Sequence, residues 1–344
     1  MADTTQPTSP IRSRRGTVLL GGLAALTLLS FLLALTSGSV ALEWTSLWQG
    51  LNGTAPEPVR QILLLRLERA LNALACGGLL ALAGALLQVL LRNPLADPYV
   101  LGVSGGASAG ALSALLLGLG GWWAATGSAF LGALLSMMLV FGLAHGRGHW
   151  GPTRLLLTGV VVAAGWGALI SFLLAISPDT HLRGMLFWLM GDLSMTRLSA
   201  GGLALLGLGM LVALPLAREL NVLVRGELRA GALGVAVSRL RLVLYFAASL
   251  LTAGAVAIAG NIGFVGLVVP HLVRLLGGRD HRVLLPAAVL LGASLLLVAD
   301  TLARTLLAPQ QLPVGVVTAL LGVPVFLYLL QRGHRAGGQG GERP

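Results

Sequence analysis

The sequence has no lysine, and only 12 of its 344 residues are acidic. Charged residues make up 10% of the chain, against roughly a quarter in ordinary soluble domains. That shortage excludes a water-coated globule, because there is too little polar surface to cover one. A single cysteine, Cys76, excludes an internal disulfide and reads as a small packing residue. No HExxH, paired Cys/His set, Walker-type GxxxxGK or GxSxG element occurs, so neither metal, nucleotide nor nucleophile-elbow chemistry is written in the chain. What is present is apolar: 56% hydrophobic residues and a mean hydropathy of +0.87. This is the composition of a polytopic membrane protein. The formal charge of +11 rests on 23 arginines, and their placement decides between nucleic acid and a membrane.

A helix needs about 20 apolar residues to cross a bilayer. Only helices or closed barrels can cross, and the apolar runs here are continuous rather than alternating, so helices are expected. Runs cover 16–42, 70–91, 99–117, 122–144, 155–176, 198–217, 242–259, 263–276, 283–303 and 313–330, with GNIG (Gly260–Gly263) splitting the seventh from the eighth. Arg12, Arg14 and Arg15 precede the first run as in a signal peptide, but the run exceeds the 7–15 residues of a signal core, and a retained helix is expected. Ten spans put both termini on one side. With the termini inside, 17 arginines fall inside and 6 outside, while the acids split evenly. The positive-inside rule therefore places both termini in the cytoplasm. The arginines mark orientation beside anionic membrane lipid, and no contiguous basic face for nucleic acid remains. Residues 1–15 and 333–344 are expected to be disordered tails around a transmembrane domain, 16–332, of an all-α protein.

The spans lack what a self-powered carrier needs. Carboxylates and histidines buried in mid-membrane serve as proton relays, yet the acids here fall at span ends or in loops, Asp300 being the deepest. His145 and His149 stand four apart in an inside loop, a solvated pair rather than a metal site. A secondary carrier and a membrane-embedded enzyme are both disfavoured. No cofactor or metal is expected, and an external motor is required. Glycines recur within spans, as in GGLLALAG (Gly77–Gly84) and GVSGGASAG (Gly102–Gly110), a pattern that lets helices approach closely. The second run reads equally as a helix start lining a path.

Four ordered stretches carry more. They are RLERALNALACGGLLALAGALLQVLLRNPLADPYVLGVSGGASAG from Arg66, FWLMGDLS from Phe187, LNVLVRGELRAGALGVAVSRLRL from Leu220, and GNIGFVGLVVPHLVRLLGGRDHRVLLP from Gly260, continued by ADTLARTLLAPQQLPVGVVTALLGVPVFLYLL to Leu330. Over roughly 17–332 the chain resembles the permease family of ATP-binding-cassette importers for iron–siderophores, haem and cobalamin. The resemblance implies ten helices per subunit and a second permease subunit, either a second copy or a paralogue. It also implies two cytoplasmic ATPase subunits and an extracytoplasmic substrate-binding protein. It implies a metal chelate as cargo, ferric siderophore first and haem or cobalamin next, carried across the cytoplasmic membrane.

Roles follow position by position. The inside loop 218–241 resembles the segment that docks on the ATPase, with Gly226, Glu227, Ala230, Leu233 and Gly234 in the matching places and Leu228 where a second acid is usual. Two short helices broken by glycine are expected there. Arg66, Arg69 and Arg304, at outside ends of spans, match arginines that pair with carboxylates of the binding protein; pairing with Glu68 or Asp300 is the alternative. Gly102, Ser104, Gly105, Asn261 and Gly263 are candidates for the translocation path. Asn261 stands where proline is common and Asp192 where serine is common. The interrupted segments 93–106 and 260–270 occupy corresponding places in spans 2–5 and 7–10, as an inverted repeat would produce.

Overall fold

The computed structural model describes residues 10–337 apart from 39, 41, 120, 146–150 and 195–199. Among the described residues every regular element is helical. The helices are α1 (Pro10–Thr36), α2 (Trp44–Leu51), α3 (Glu57–Leu90), α4 (Val103–Leu116), α5 (Trp122–Ala144), α6 (Pro152–Ala175), α7 (Asp179–Leu189), α8 (Ala200–Ala213), α9 (Ala217–Leu223), α10 (Glu227–Ala232), α11 (Val237–Ala259), α12 (Val265–Leu275), α13 (His281–Thr305) and α14 (Val314–Gly337), with a 3-10 turn at Pro98–Leu101. Six of them, α1, α3, α5, α6, α11 and α13, are long and apolar enough to cross a membrane. α8 is a further apolar helix, from which α9 turns away across a 65° bend, and α4, α12 and α14 contribute three shorter apolar helices. Those ten segments correspond one to one with the ten expected runs.

The core is built around α3, which is buried almost continuously from Ala70 to Leu90. With no hydrophobic driving force between helices in lipid, association rests on close packing, which small residues permit. Gly77 of α3 faces Gly292 of α13, where a Cβ would lie 2.7 Å from a carbonyl carbon. Gly84 faces Gly266 of α12, where a Cβ would lie 2.6 Å from Cα. Backbone meets backbone at both places. The glycine run GGLLALAG is thus a packing surface. Cys76, next to Gly77 but turned toward α11, is fully buried, its Sγ 3.7 Å from the Ala255 carbonyl. On the periphery α1 lies along α13, and Thr27 Oγ1 meets Ser294 Oγ at 2.9 Å.

Two features were not legible as apolar runs. First, α3 begins at Glu57, well before residue 70. Its 34 residues span about 51 Å, more than a 30 Å hydrocarbon layer, so its outer end stands beyond the membrane and carries Arg60, Arg66 and Arg69 with it. Second, α2 and α7 are additional short helices on the outer side. His149 lies outside the described residues.

Candidate functional site

Three helix ends bring the outer arginines together. Arg66 is only 7% exposed. Its Nη1 donates to the carbonyls of Leu35 (2.9 Å) and Thr36 (2.7 Å), and its Nη2 donates to the carbonyl of Val40. Arg304, equally buried, donates from Nη2 to the Ala34 carbonyl at 2.6 Å. Those oxygens close α1, whose last carbonyls have no intrahelical donors and whose dipole favours a cation there. Arg69 lies across Asp300: Nε sits 2.9 and 3.0 Å from the two carboxylate oxygens and Nη2 2.8 Å from Oδ1. Its Nη1 also donates to Gln311 Oε1 at 2.8 Å. Arg304 Nε stands 3.4 Å from Asp300 Oδ2, an ion-pair distance without hydrogen-bond alignment. One buried carboxylate therefore faces two guanidinium groups. Nothing in the sequence marks the end of α1 as an acceptor for arginines 30 to 270 residues away.

The two interrupted segments also meet. After α3 the chain turns at Arg92 (φ 48°), and the Asp97 carboxylate accepts from the Tyr99 N–H at 2.8 Å to start the 3-10 turn. Gly102, at φ 72°, redirects the chain into α4 in a conformation that favours glycine. On the other side α11 stops at Gly260 (φ 69°), and α12 begins only after Phe264. The Tyr99 hydroxyl donates to the Ile262 carbonyl (2.9 Å) and accepts from the Ile262 N–H (3.0 Å). One side chain thus satisfies both backbone groups of a non-helical residue inside the bundle, where no water would do so. Gln88 of α3 braces the same region, donating to the Leu267 carbonyl at 3.1 Å and accepting from Arg274 at 2.6 Å.

Within this region Gly102 and Gly105 are packed against α5 and α6. Ser136 Oγ donates to the Gly102 carbonyl (2.7 Å) and accepts from Trp166 Nε1 (2.9 Å), and a Cβ on Gly105 would lie 2.8 Å from that of Trp166. Ser104 between them is half-buried. Asn261 is half-buried, and its Oδ1 has no hydrogen-bond partner among the described residues. Gly263 faces open space. The Asn261 carbonyl is approached by Gly191, after α7, and by Gly315, at the start of α14; a Cβ on either would lie 2.6 or 2.9 Å away. Asp192 holds this turn, its N–H donating to Ala259 (2.9 Å) and its carboxylate accepting from the Ser194 N–H (2.8 Å). Tyr99, Gly191 and Gly315 were not singled out from the sequence, although each lies in one of the four quoted stretches.

On the cytoplasmic side α9 and α10 form a compact knob hinged at Gly226 (φ 120°) and closed by Gly234 (φ 82°). Ala230 is fully buried, while Leu228 (91% exposed) and Leu233 (71% exposed) point away from the bundle. Glu227 fastens the knob to the transmembrane part. It pairs with Arg92 at the end of α3 (3.0 Å) and with Arg241 at the start of α11. Asn221 of α9 makes a second attachment. Its Nδ2 donates to Asp280 Oδ1 (2.8 Å), and its Oδ1 accepts from the His281 N–H (3.0 Å) and meets His281 Nδ1 (2.7 Å). Asp280 also caps α13 by accepting from the Arg282 N–H at 3.0 Å. Partial burial opposes ionisation of this carboxyl, but the bonds from Arg282 and Asn221 and the nearby positive charge outweigh it and hold the group below its usual range.

Residues 26–332 match the FecCD transport family. The vitamin B12 import system permease of Shigella boydii serotype 18 is 42% identical over 317 residues, covering 91% of this chain and 94% of that one. The hemin transport system permease of Yersinia pestis is 42% identical over 334 residues, covering 93% and 98%. Among solved structures, a protein described as a metal-chelate type ABC transporter in an inward-facing conformation superposes with a TM-score of 0.79 at 33% identity, over 92% of this chain and 99% of that one. With ten apolar helical segments and a match spanning nearly its whole length, this multi-pass membrane protein belongs to the FecCD transport family.

Proposed function

We propose that the chain is the permease subunit of an ATP-binding-cassette importer for a metal chelate. It works with a second permease subunit, two cytoplasmic ATPases and an extracytoplasmic binding protein in the cytoplasmic membrane. The observation that carries the reading is the cytoplasmic knob. Its exposed Leu228 and Leu233 form an apolar tip next to buried Ala230, suited to a cleft on the ATPase, while Glu227 ties its base to α3 and α11. Force applied at the tip reaches two transmembrane helices through one carboxylate. The protein contributes no chemistry of its own: ATP hydrolysis belongs to the partner.

The outer arginines serve docking. Carboxylates of the binding protein approach Arg69, which is the least buried of the three, and through it Arg66 and Arg304. Incoming acids exchange with Asp300 and with the carbonyls of α1, so docking frees the end of α1 from α3 and α13. The path runs past the meeting of α7, α12 and α14, with Ser104, Asn261 and Gly263 facing it and Gly102 and Gly105 setting the backbone behind. The relatives named for vitamin B12 and hemin make a macrocyclic metal chelate the leading cargo, ahead of ferric siderophore. Radiolabelled uptake in a strain deleted for this chain tests the reading with cobalamin, haem and a ferric siderophore. Restoration of cobalamin or haem uptake by the wild-type gene is expected. Uptake unaffected by ATP depletion would refute the importer assignment.

A further inference from the structure

The knob is joined to the bundle at two places of different character. Glu227 reaches α3 and α11 by ion pairs: one to half-exposed Arg92 (42%), the other to Arg241, which is 12% exposed, with Glu227 itself 30% exposed. The Arg92 pair is screened and easily remade, and neither pair touches α13. Asn221 instead reaches α13 by hydrogen bonds, to the Asp280 carboxylate, to the His281 N–H and to the His281 ring. His281 is 4% exposed. A carboxamide that donates one way and accepts the other fixes orientation as well as distance. We infer that Asn221 is the positioning residue that makes α9 and the cytoplasmic end of α13 one rigid joint, so that displacement of the knob by the ATPase is delivered to α13.

This rests on the coupling role proposed for 218–241, and it names a specific route. The target is well chosen mechanically. α13 packs backbone to backbone on α3 through Gly292 and Gly77, and its far end carries Asp300 and Arg304. A push on its first turn therefore reaches the outer arginine cluster along one continuous helix of 25 residues. Among the described residues the neighbouring side-chain attachments make no direct bond to α13: Gln88 and Arg274 join α3 to α12, and Glu227 joins α10 to α3 and α11.

The test uses the assembled transporter in proteoliposomes with its ATPase and binding protein, and reads cargo moved per ATP hydrolysed. Asn221→Asp keeps the acceptor for the His281 N–H but sets a carboxylate against Asp280. It should lower cargo per ATP at least fivefold while the ATPase still copurifies and hydrolyses ATP. The reciprocal pair Asn221→Asp with Asp280→Asn rebuilds the same bond with donor and acceptor exchanged, and should restore the ratio to within twofold of wild type. If Asn221→Asp does not assemble, Asn221→Ser, which is too short to reach Asp280 and adds no charge, should show the same fivefold loss. An unchanged ratio in the single variant overturns the joint, and so does a reciprocal pair as poor as the single variant. Loss of ATPase copurification on Leu228→Asp supports the coupling reading on which the joint depends. Its retention would overturn that reading separately.

Discussion

Asp300 offers the sharpest stability prediction. Its side chain is 2% exposed and lies against Arg69, 12% exposed, and Arg304, 7% exposed. Replacing it with alanine removes the only carboxylate within ion-pair distance of either guanidinium among the described residues, and leaves two cations where water scarcely reaches. Removing one member of a buried pair costs about 3–5 kcal/mol, because the partner's desolvation is no longer offset. Arg69 can swing toward Gln311 and solvent, but Arg304 cannot, since its Nη2 is engaged with Ala34 inside the helix ends. Most of the loss should therefore belong to Arg304. At about 2 °C per kcal/mol for a chain of this size, Asp300→Ala should lower the melting temperature by about 6–10 °C. Thermal unfolding in detergent, followed by tryptophan fluorescence, measures it. Asp300→Ala combined with Arg304→Met removes the stranded charge at similar volume and should recover at least half the drop. A single variant melting within about 2 °C of wild type refutes the argument, and so does a double variant no better than the single.

Other outcomes follow from the same geometry. Arg66→Glu with Arg69→Glu should abolish stimulation of ATP hydrolysis by the binding protein while leaving basal hydrolysis, measured as phosphate release; unchanged stimulation would remove these arginines from docking. Gly84→Val sets a branched side chain against the Gly266 backbone, and should yield no monodisperse protein on size exclusion, whereas Gly207→Val, where nothing lies within 4 Å, should behave as wild type. Tyr99→Phe strands both backbone groups of Ile262, which at about 1–3 kcal/mol for each buried unsatisfied group should lower the melting temperature by several degrees with the ring packing intact. The Asp280 carboxyl is held below its usual range, so its contribution is present above the unfolded pKa of about 4 and is lost as pH falls through the lower folded value. The stability advantage of wild type over Asp280→Asn should therefore be constant near pH 7 and shrink below about pH 4, read as the difference between their melting temperatures across an acid titration.

Much of the architecture was legible because the bilayer imposes a length and a polarity that composition records directly. The ten segments, the break at GNIG and the glycine contacts of α3 all follow from apolar runs and small residues. The site was legible only as positions. Arg66, Arg69 and Arg304 stood out as outside arginines against the positive-inside trend, yet the sequence could not say that two of them close α1, because backbone carbonyls carry no residue identity. Tyr99 read only as the first residue of the apolar run 99–117, since its role depends on Ile262, 163 positions later, lying within 3 Å. Asn221 sat in a loop read for its glycines, and its partners became visible only when α13 was placed beside α9. The outer end of α3 was missed because residues 57–69 are too mixed in polarity to count as membrane, although a helix need not stop where the lipid does.

The backbone contacts at Gly77 and Gly84 bear on how such a bundle can move. Packed helices usually slide past one another by letting interposed side chains change rotamer, a shear that small motions permit. Where two backbones touch there is no such layer, and a shift of even one residue drives a carbonyl into a carbonyl. α3 is held this way to α13 at Gly77 and, two turns further along the same face, to α12 at Gly84. The three travel as a single block, and the conformational freedom of a transport cycle has to reside at its borders: the turn around Tyr99, the backbone at Gly260 to Phe264, and the approach of Gly191 and Gly315. Rigidity at the centre thus determines where the protein can bend.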